Sequence, residues 1–355
     1  TEGPGVNGLG YKQGTSFAVP QAVGVASLML SLNDALSPSA LIERMKQAMD
    51  KVLAHYNGDG DAIGWQDFLQ TLPALEKLSA TATDGGKLAY TSAMVLKAQE
   101  DKTHAGAFIA SLSNPWGDTK SAEKSATGYK AVWPRDFYQV AMAMLALGDR
   151  ESPRIAFEYL EKIQASDKIA GYSGTPGWFL QKTHVDGTLE WVGIQLDQTA
   201  MPIMLGWRLW QDGILSTAEI TTWYHSMLKP AADFLAHGGK VKLDWNDIEL
   251  KTPATQQERW EEQYGYSPST MAAIISGLVS AADIAAKVGD SAAATLYQQK
   301  ADEFAGKLEA LTYTEQGQLK SVPGAGPYSD GKYYLRINSN EDPNDNSALE
   351  LRNGQ

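Results

Sequence analysis

The sequence contains no cysteine, so it forms no disulfide and no thiolate metal site, and cysteine usage carries no mark of its redox compartment. Cations are the minority charge: 30 Lys and Arg stand against 42 Asp and Glu, a formal net charge of -12. That balance argues against nucleic acid as a partner, because duplex binding is driven by cationic neutralisation of phosphate. It suits a neutral substrate and a secreted or periplasmic setting. No apolar run reads as a membrane span; FAVPQAVGVASLML (17–30) is too short and holds a proline. The chain start carries no n-region or cleavage signal. No tract is low in complexity, and no motif repeats at a fixed period. Histidine is scarce, with 5 in all. His184 has no second His or Cys at ligand spacing, which favours a structural hydrogen-bonding role.

What is present is a globular composition over 355 residues, 43% hydrophobic, with 10 Trp and 15 Tyr. Apolar stripes of helical period run through 86–102, 137–149, 153–164, 196–213, 217–238, 267–289 and 291–311. Many of these segments end at glycine, as helices do when the residue after the cap turns left-handed. Earlier in the chain, 17–32 reads as a buried helix. Ser37 and Pro38 read as the cap and first residue of another helix, with a stripe at Leu41, Met45, Ala48, Val52 and Tyr56. Only AFIASL (107–112) and KYYLRI (332–337) read as extended. The expectation is an all-α array of paired helices with functional loops at one end. Three segments are expected: 1–50, a linker over 51–85, and the main helical part over 86–355. YNGDGDAIGWQDFL (56–69) imitates a calcium loop, but Ala62 stands where glycine is required and Phe68 where glutamate is. A turn into a helix fits it better.

Two constellations carry chemistry. In YKAVWPRDFY (129–138), Arg135 and Asp136 sit beside Trp133 at a helix start. Arginine offers a planar fork of donors and aspartate two acceptors, which together with an aromatic face suit a ring bearing vicinal hydroxyls. A surface ion pair under a structural tryptophan is the alternative. In QQERWEEQYGYSPST (256–270), the carboxylates Glu261 and Glu262 follow Trp260. A neighbouring like charge and an apolar indole raise a carboxyl's pKa, as a general acid requires. A solvated acidic turn capped at Ser267 and Pro268 is the plain reading, while Trp260, Tyr264 and Tyr266 mark a lined cleft. QKTHVDGTLEWVGIQLDQTAMP (181–202) adds a polar loop with Trp191.

These stretches, together with AQEDKTHAGAFIASLSNPWG (98–117) and DGKYYLRINSNEDPND (330–345), resemble glycoside hydrolase family 15, the bacterial glucoamylases and glucodextranases. The resemblance covers roughly three quarters of the chain, from about Asp84 onward. It implies an (α/α)6 barrel and inverting exo-hydrolysis of α-glucan that releases β-D-glucose from non-reducing ends. Glu261 falls on the family's general acid and Glu262 on a neighbouring substrate-binding carboxylate. Arg135 and Asp136 fall on the pair that grips the terminal glucose. Tyr129 and Trp133 fall on aromatics around that glucose, and Trp191 on the one that closes over it. The motifs leave open whether α-1,4 or α-1,6 bonds are cut. The implied substrate is an oligo- or polysaccharide α-glucan, taken by a monomer without a cofactor, with calcium left open at acidic loops such as NEDPND.

The chain departs from the family at both ends. The family's base follows the DGKYYLRI region, and neither Glu341 nor Glu350 has its context. The base is therefore expected to be missing and the barrel incomplete. GTSFAVPQAVGVASLML (14–30) resembles the serine segment of subtilisin-like proteases, with Ser16 in the nucleophile's place. Such a protease needs an Asp and a His before the serine, and residues 1–15 contain neither. A peptidase remnant with an orphan Ser16, or a catalytically inactive helical fragment, are the alternatives.

Overall fold

A computed structural model describes residues 37, 39–44, 46–47, 64–112, 128–317, 321–322, 326–327 and 330–345. The serine segment with Ser16, most of the calcium-like loop and Glu350 lie outside them. The chain divides into two compact units, Thr1–Leu72 and Pro73–Gln355. In the first, residues 39–44 and 46–47 are helical, and the Ala40 amide donates to the Ser37 hydroxyl at 3.2 Å, as a cap should. A short helix, α1 (Trp65–Gln70), begins where the Gly64 amide donates to Asp67 at 3.0 Å.

The second unit is built from helices. They are α2 (Pro73–Thr81), α3 (Lys87–Ala98), α4 (Pro134–Leu147), α5 (Ser152–Tyr159), α6 (Leu196–Gln211), α7 (Thr217–Trp223), α8 (Lys229–His237), α9 (Pro268–Lys287) and α10 (Ser291–Thr312). A 3-10 turn, Leu160–Ile163, extends α5, and a π turn, Tyr224–Leu228, joins α7 to α8. Left-handed glycines follow several helix ends, among them Gly148, Gly213, Gly238 and Gly289.

Every second major helix points the same way. Arg135 at the start of α4 bonds Asp197 at the start of α6, while Arg150 just past α4 bonds the Gly213 carbonyl just past α6. Likewise Gly277 of α9 abuts Ala200 of α6, and one to two turns on Trp207 Nε1 donates to Asp283 at 2.7 Å. So α4, α6 and α9 run parallel, and α5, α7–α8 and α10 return the chain between them. This is the alternation of an (α/α)6 barrel, here over part of its circuit. It gathers the N-termini of α4, α6 and α9, and the loops before them, at one end.

The core is continuous across these helices. Phe157, Ile203, Leu209, Tyr224, Phe234, Ile274, Leu278, Tyr297 and Phe304 are all buried. Helix α9 corrects the sequence reading on one point: it is long and apolar enough, by length and composition alone, to cross a membrane. Its stripe of Met271, Ile274, Leu278, Ala281 and Ala285 is buried, and the helix packs on both α6 and α10. Its apolar character is that of a central core helix.

Short hairpins break the all-helical pattern. β1 (Lys182–Thr183) pairs with β2 (Leu189–Trp191), and β3 (Gly239–Leu243) with β4 (Asn246–Leu250). GKVKL buries Val241 and Leu243 and exposes its lysines, the two-residue alternation of a half-buried strand. The reversal falls at Asp244, with φ 50, a left-handed value that aspartate tolerates. β5 (Tyr313–Thr314) pairs with β8 (Tyr333–Tyr334), and β6 (Ser321–Val322) with β7 (Gly326–Pro327). AFIASL contributes only an isolated bridge from Phe108 to Glu100.

A Cβ at Gly277 would sit 2.9 Å from Ala200 Cβ, so the α6–α9 seam has no room for a side chain. Gly277→Val is expected to cost about 1–3 kcal/mol through overpacking, read as a lower urea midpoint. An unchanged midpoint would show that the seam is not closed there.

Candidate active site

The loop between β4 and α9 is fastened before it reaches the site. Thr255 and Gly265 exchange backbone bonds at 2.9 and 3.0 Å, closing its neck. The Gln257 amide donates to the Ile194 carbonyl at 2.9 Å, and Tyr266 exchanges backbone bonds with Asn338. Gly265 has φ +145, and a Cβ there would lie 2.2 Å from the Asn338 carbonyl oxygen; only glycine permits this approach.

Inside the loop, Glu258 is fully buried. Its carboxylate accepts from the Trp260 amide at 2.9 Å, and its carbonyl accepts from the Glu261 amide at 2.8 Å. Glu261 is thereby held at φ 65, a left-handed conformation that costs a non-glycine residue roughly 1–2 kcal/mol. In return its carboxylate meets the Trp133 indole, whose Nε1–H donates to it at 2.8 Å.

Trp133 is placed by the other half of the site. It caps α4 in an extended conformation, φ -113 and ψ 128, which the following Pro134 favours. That puts Arg135 and Asp136 in the first turn. Arg135 does not pair with its neighbour. Its guanidinium donates to Asp197 at 3.1 Å, to Gln195 and, at 3.3 Å, to the Arg259 carbonyl. Burial pushes the Asp136 carboxyl above its usual range; Arg135 opposes the shift, and Glu261 and Asp197 add to it.

Under the Trp133 ring lies Lys182, its ammonium 4.7 Å from the centroid. Lys182 is paired with Glu190 at 2.5 Å, both side chains almost wholly buried. The β1–β2 hairpin thus supports the indole from behind.

The result is a pocket of about 520 Å³ whose walls include Tyr129, Trp133, Arg135, Asp136, Trp260 and Glu261, with Ser111 and Arg259. Six of the eight residues singled out in the sequence meet here. Tyr129 stands edge-on to Trp133, with centroids 6.2 Å apart. The other two are not among its lining residues. Glu262 faces Arg336, with Nη2 to Oε2 at 3.2 Å. Trp191 is exposed and packs on Trp245. The Ser267 hydroxyl faces Ser269 at 3.1 Å rather than capping α9. His184 contributes its backbone carbonyl, to the Tyr159 hydroxyl at 3.2 Å; burial pushes that phenol up to about 12.

Sequence reading missed Glu258, Arg336, Asp197 and Lys182. Each was inside a quoted motif, but a charge that serves by being buried looks the same in sequence as one in water. Among the described residues, no group of three or more His, Cys, Asp and Glu is placed to hold a metal ion. The NEDPND loop turns on itself instead: Asn340 donates to Asp345 at 2.6 Å, and Asp342 accepts from the Asn344 amide at 2.9 Å.

Burial also raises the Glu258 carboxyl, against the opposing pull of the Trp260 amide and Arg336. A carboxyl with a raised folded pKa favours folding when protonated, so its contribution declines as pH rises through and above the ordinary carboxylate range. Arg336 Nε lies 4.0 Å from the Glu258 carboxylate, both side chains buried, and Arg336→Met removes this opposing charge. It is expected to cost about 3–5 kcal/mol at neutral pH and less at acidic pH, where Glu258 is protonated. Urea unfolding at both pH values reads this; an equal loss at both would contradict it.

Residues 84–352 match the sequence profile of glycosyl hydrolases family 15. A glucoamylase of Clostridium sp. (strain G0005) is 41% identical over 267 residues, 75% of this chain and 32% of that protein. An uncharacterized glycosyl hydrolase of Methanocaldococcus jannaschii is 29% identical over 154 residues, 42% of this chain and 21% of its own length. A crystal structure of a bacterial glucoamylase complexed with acarbose superposes with a TM-score of 0.61 at 39% identity, covering 79% of this chain and 34% of that one. The chain therefore spans about a third of the length of these glucoamylases. With three quarters of its length matched to the profile, and the pocket formed by the motifs within it, the chain belongs to glycosyl hydrolases family 15.

Proposed function

We propose that the pocket binds the non-reducing end of an α-glucan and that Glu261 is the general acid of its inverting hydrolysis to β-D-glucose. The observation that carries this reading is the hydrogen bond from the Trp133 indole to Glu261. It joins segments 128 residues apart and fixes a carboxylate in a pocket walled by aromatic rings and a guanidinium. Arg135 and Asp136 bind the ring hydroxyls. Tyr129 faces the positive charge that develops at the anomeric carbon. Glu261 gives its proton to the glycosidic oxygen as the bond breaks, and a water on the opposite face takes the carbon with inversion. The carboxylate that activates this water would stand about 6.5–9.5 Å from Glu261; it is assigned to no residue of this chain. The acidic composition suits a secreted or periplasmic setting, and the reaction as written uses no cofactor.

Glu261→Gln keeps the shape and removes the proton. In an intact enzyme that also carries the base, turnover of maltooligosaccharides is expected to fall about 10²–10⁴-fold, with acarbose affinity held within a few-fold. Near-normal turnover would overturn the assignment.

Asp136 gives a second test. Sugar hydroxyls donate to its ionised form, so binding favours loss of the proton that burial retains. Affinity is expected to rise with pH from the ordinary carboxylate range upward until the raised pKa is passed, and to lose this dependence in Asp136→Asn. A pH profile identical in the two proteins would count against Asp136 as a hydroxyl acceptor.

A further inference from the structure

Lys182 and Glu190 form an ion pair at 2.5 Å, with side chains only 7% and 6% exposed. They stand on the two strands of one short hairpin, β1 and β2. Taking both charges out of water is costly, and apolar residues of similar volume in such a place often leave stability unchanged or raise it. The fold alone therefore gives little reason for the pair.

Its neighbour gives a better one. Val132 and Thr183 exchange backbone bonds at 2.9 and 3.0 Å, which sets Trp133 and Lys182, the residues next to them, against each other. The Lys182 ammonium lies 4.7 Å from the centroid of the indole. From the edge of the same ring, Nε1–H donates to Glu261 at 2.8 Å. A line of contacts thus runs from Glu190 through Lys182 and Trp133 to the carboxylate in the pocket. A cation on the face of an indole draws electron density from the ring, so it holds the ring and makes its N–H a stronger donor. That bond counts most once Glu261 is ionised, because a carboxylate accepts a stronger hydrogen bond than a carboxylic acid. An interaction that strengthens as the reaction proceeds raises kcat rather than ground-state affinity.

We propose that Lys182 is a positioning residue for the acid. It holds the Trp133 indole with its N–H on Glu261 and strengthens that donor as the carboxyl gives up its proton, while Glu190 keeps the ammonium in place. The proposal rests on the reading of Glu261 as the general acid. The proton passes from Glu261 to the glycosidic oxygen; Lys182 and Trp133 transfer none.

The test removes the pair in Lys182→Met/Glu190→Leu and keeps the cation in Lys182→Arg. The indole N–H of Trp133 is followed by NMR in the isotope-labelled chain, assigned with Trp133→Phe, alongside thermal unfolding. The double variant is expected to melt within a few degrees of wild type while its indole proton exchanges with solvent about tenfold faster; Lys182→Arg is expected to stay within about twofold of wild type. In an intact enzyme that also carries the base, the double variant is expected to lose about tenfold in kcat with KM held within about twofold. Unchanged proton exchange in the double variant, an equal gain in exchange in Lys182→Arg, or a raised KM with kcat unchanged would overturn the proposal and leave Glu261 as the acid. A double variant that no longer folds would assign the pair to stability and overturn it too. Near-normal turnover in Glu261→Gln would remove the acid itself, whatever the indole proton shows.

Discussion

Glu258 has no exposed surface, and both ends of it are occupied. Its carboxylate takes the Trp260 amide, and its carbonyl takes the Glu261 amide. The rest of the site depends on this buried residue, because its carboxylate and carbonyl together hold the turn in which Glu261 adopts a backbone conformation that it would not adopt alone. Strain at one residue is tolerated because the loop's neck is closed at Thr255 and Gly265 and its far side is pinned to Asn338. The turn carries the Glu261 side chain to the pocket, where the hydrogen bond from the Trp133 indole holds its carboxylate.

The helices explain why these groups converge at all. Parallel α4, α6 and α9 bring three N-termini to one end, and each preceding loop adds polar side chains there. Arg135 binds the starts of α4 and α6 together through Asp197 and touches the Glu261 loop through the Arg259 carbonyl. One guanidinium therefore joins all three contributors. Its neighbour Asp136 is left without that partner, and burial raises its pKa. Two adjacent residues of opposite charge thus take different parts: Arg135 ties three segments together, and Asp136 lines the pocket.

Helix positions were legible because apolar stripes of period 3.6 and glycine stops are local signals; α6 and α10 follow their stripes closely. The pocket was legible as motifs: Trp133, Arg135 and Asp136 are neighbours in sequence, as are Trp260 and Glu261. What escaped was set by long-range packing. The β3–β4 hairpin shows its alternation in GKVKL, but so short a run carries little signal between long helices. The ring of Trp191 rests on Trp245, a contact between two hairpins that neither segment announces. Glu262 looked like the twin of Glu261. The left-handed backbone at Glu261 parts their directions, and Glu262 goes to Arg336.

The central claim is that the turn held by Glu258 aims the Glu261 proton at a glycosidic oxygen. A crystal structure of the chain with a non-hydrolysable α-glucan analogue tests it most directly. The account predicts the terminal ring in the pocket against Arg135 and Asp136, with a Glu261 carboxylate oxygen within hydrogen-bond distance, about 3 Å, of the atom replacing the glycosidic oxygen. An analogue bound with Glu261 turned away from that atom, or bound outside this pocket, would contradict it.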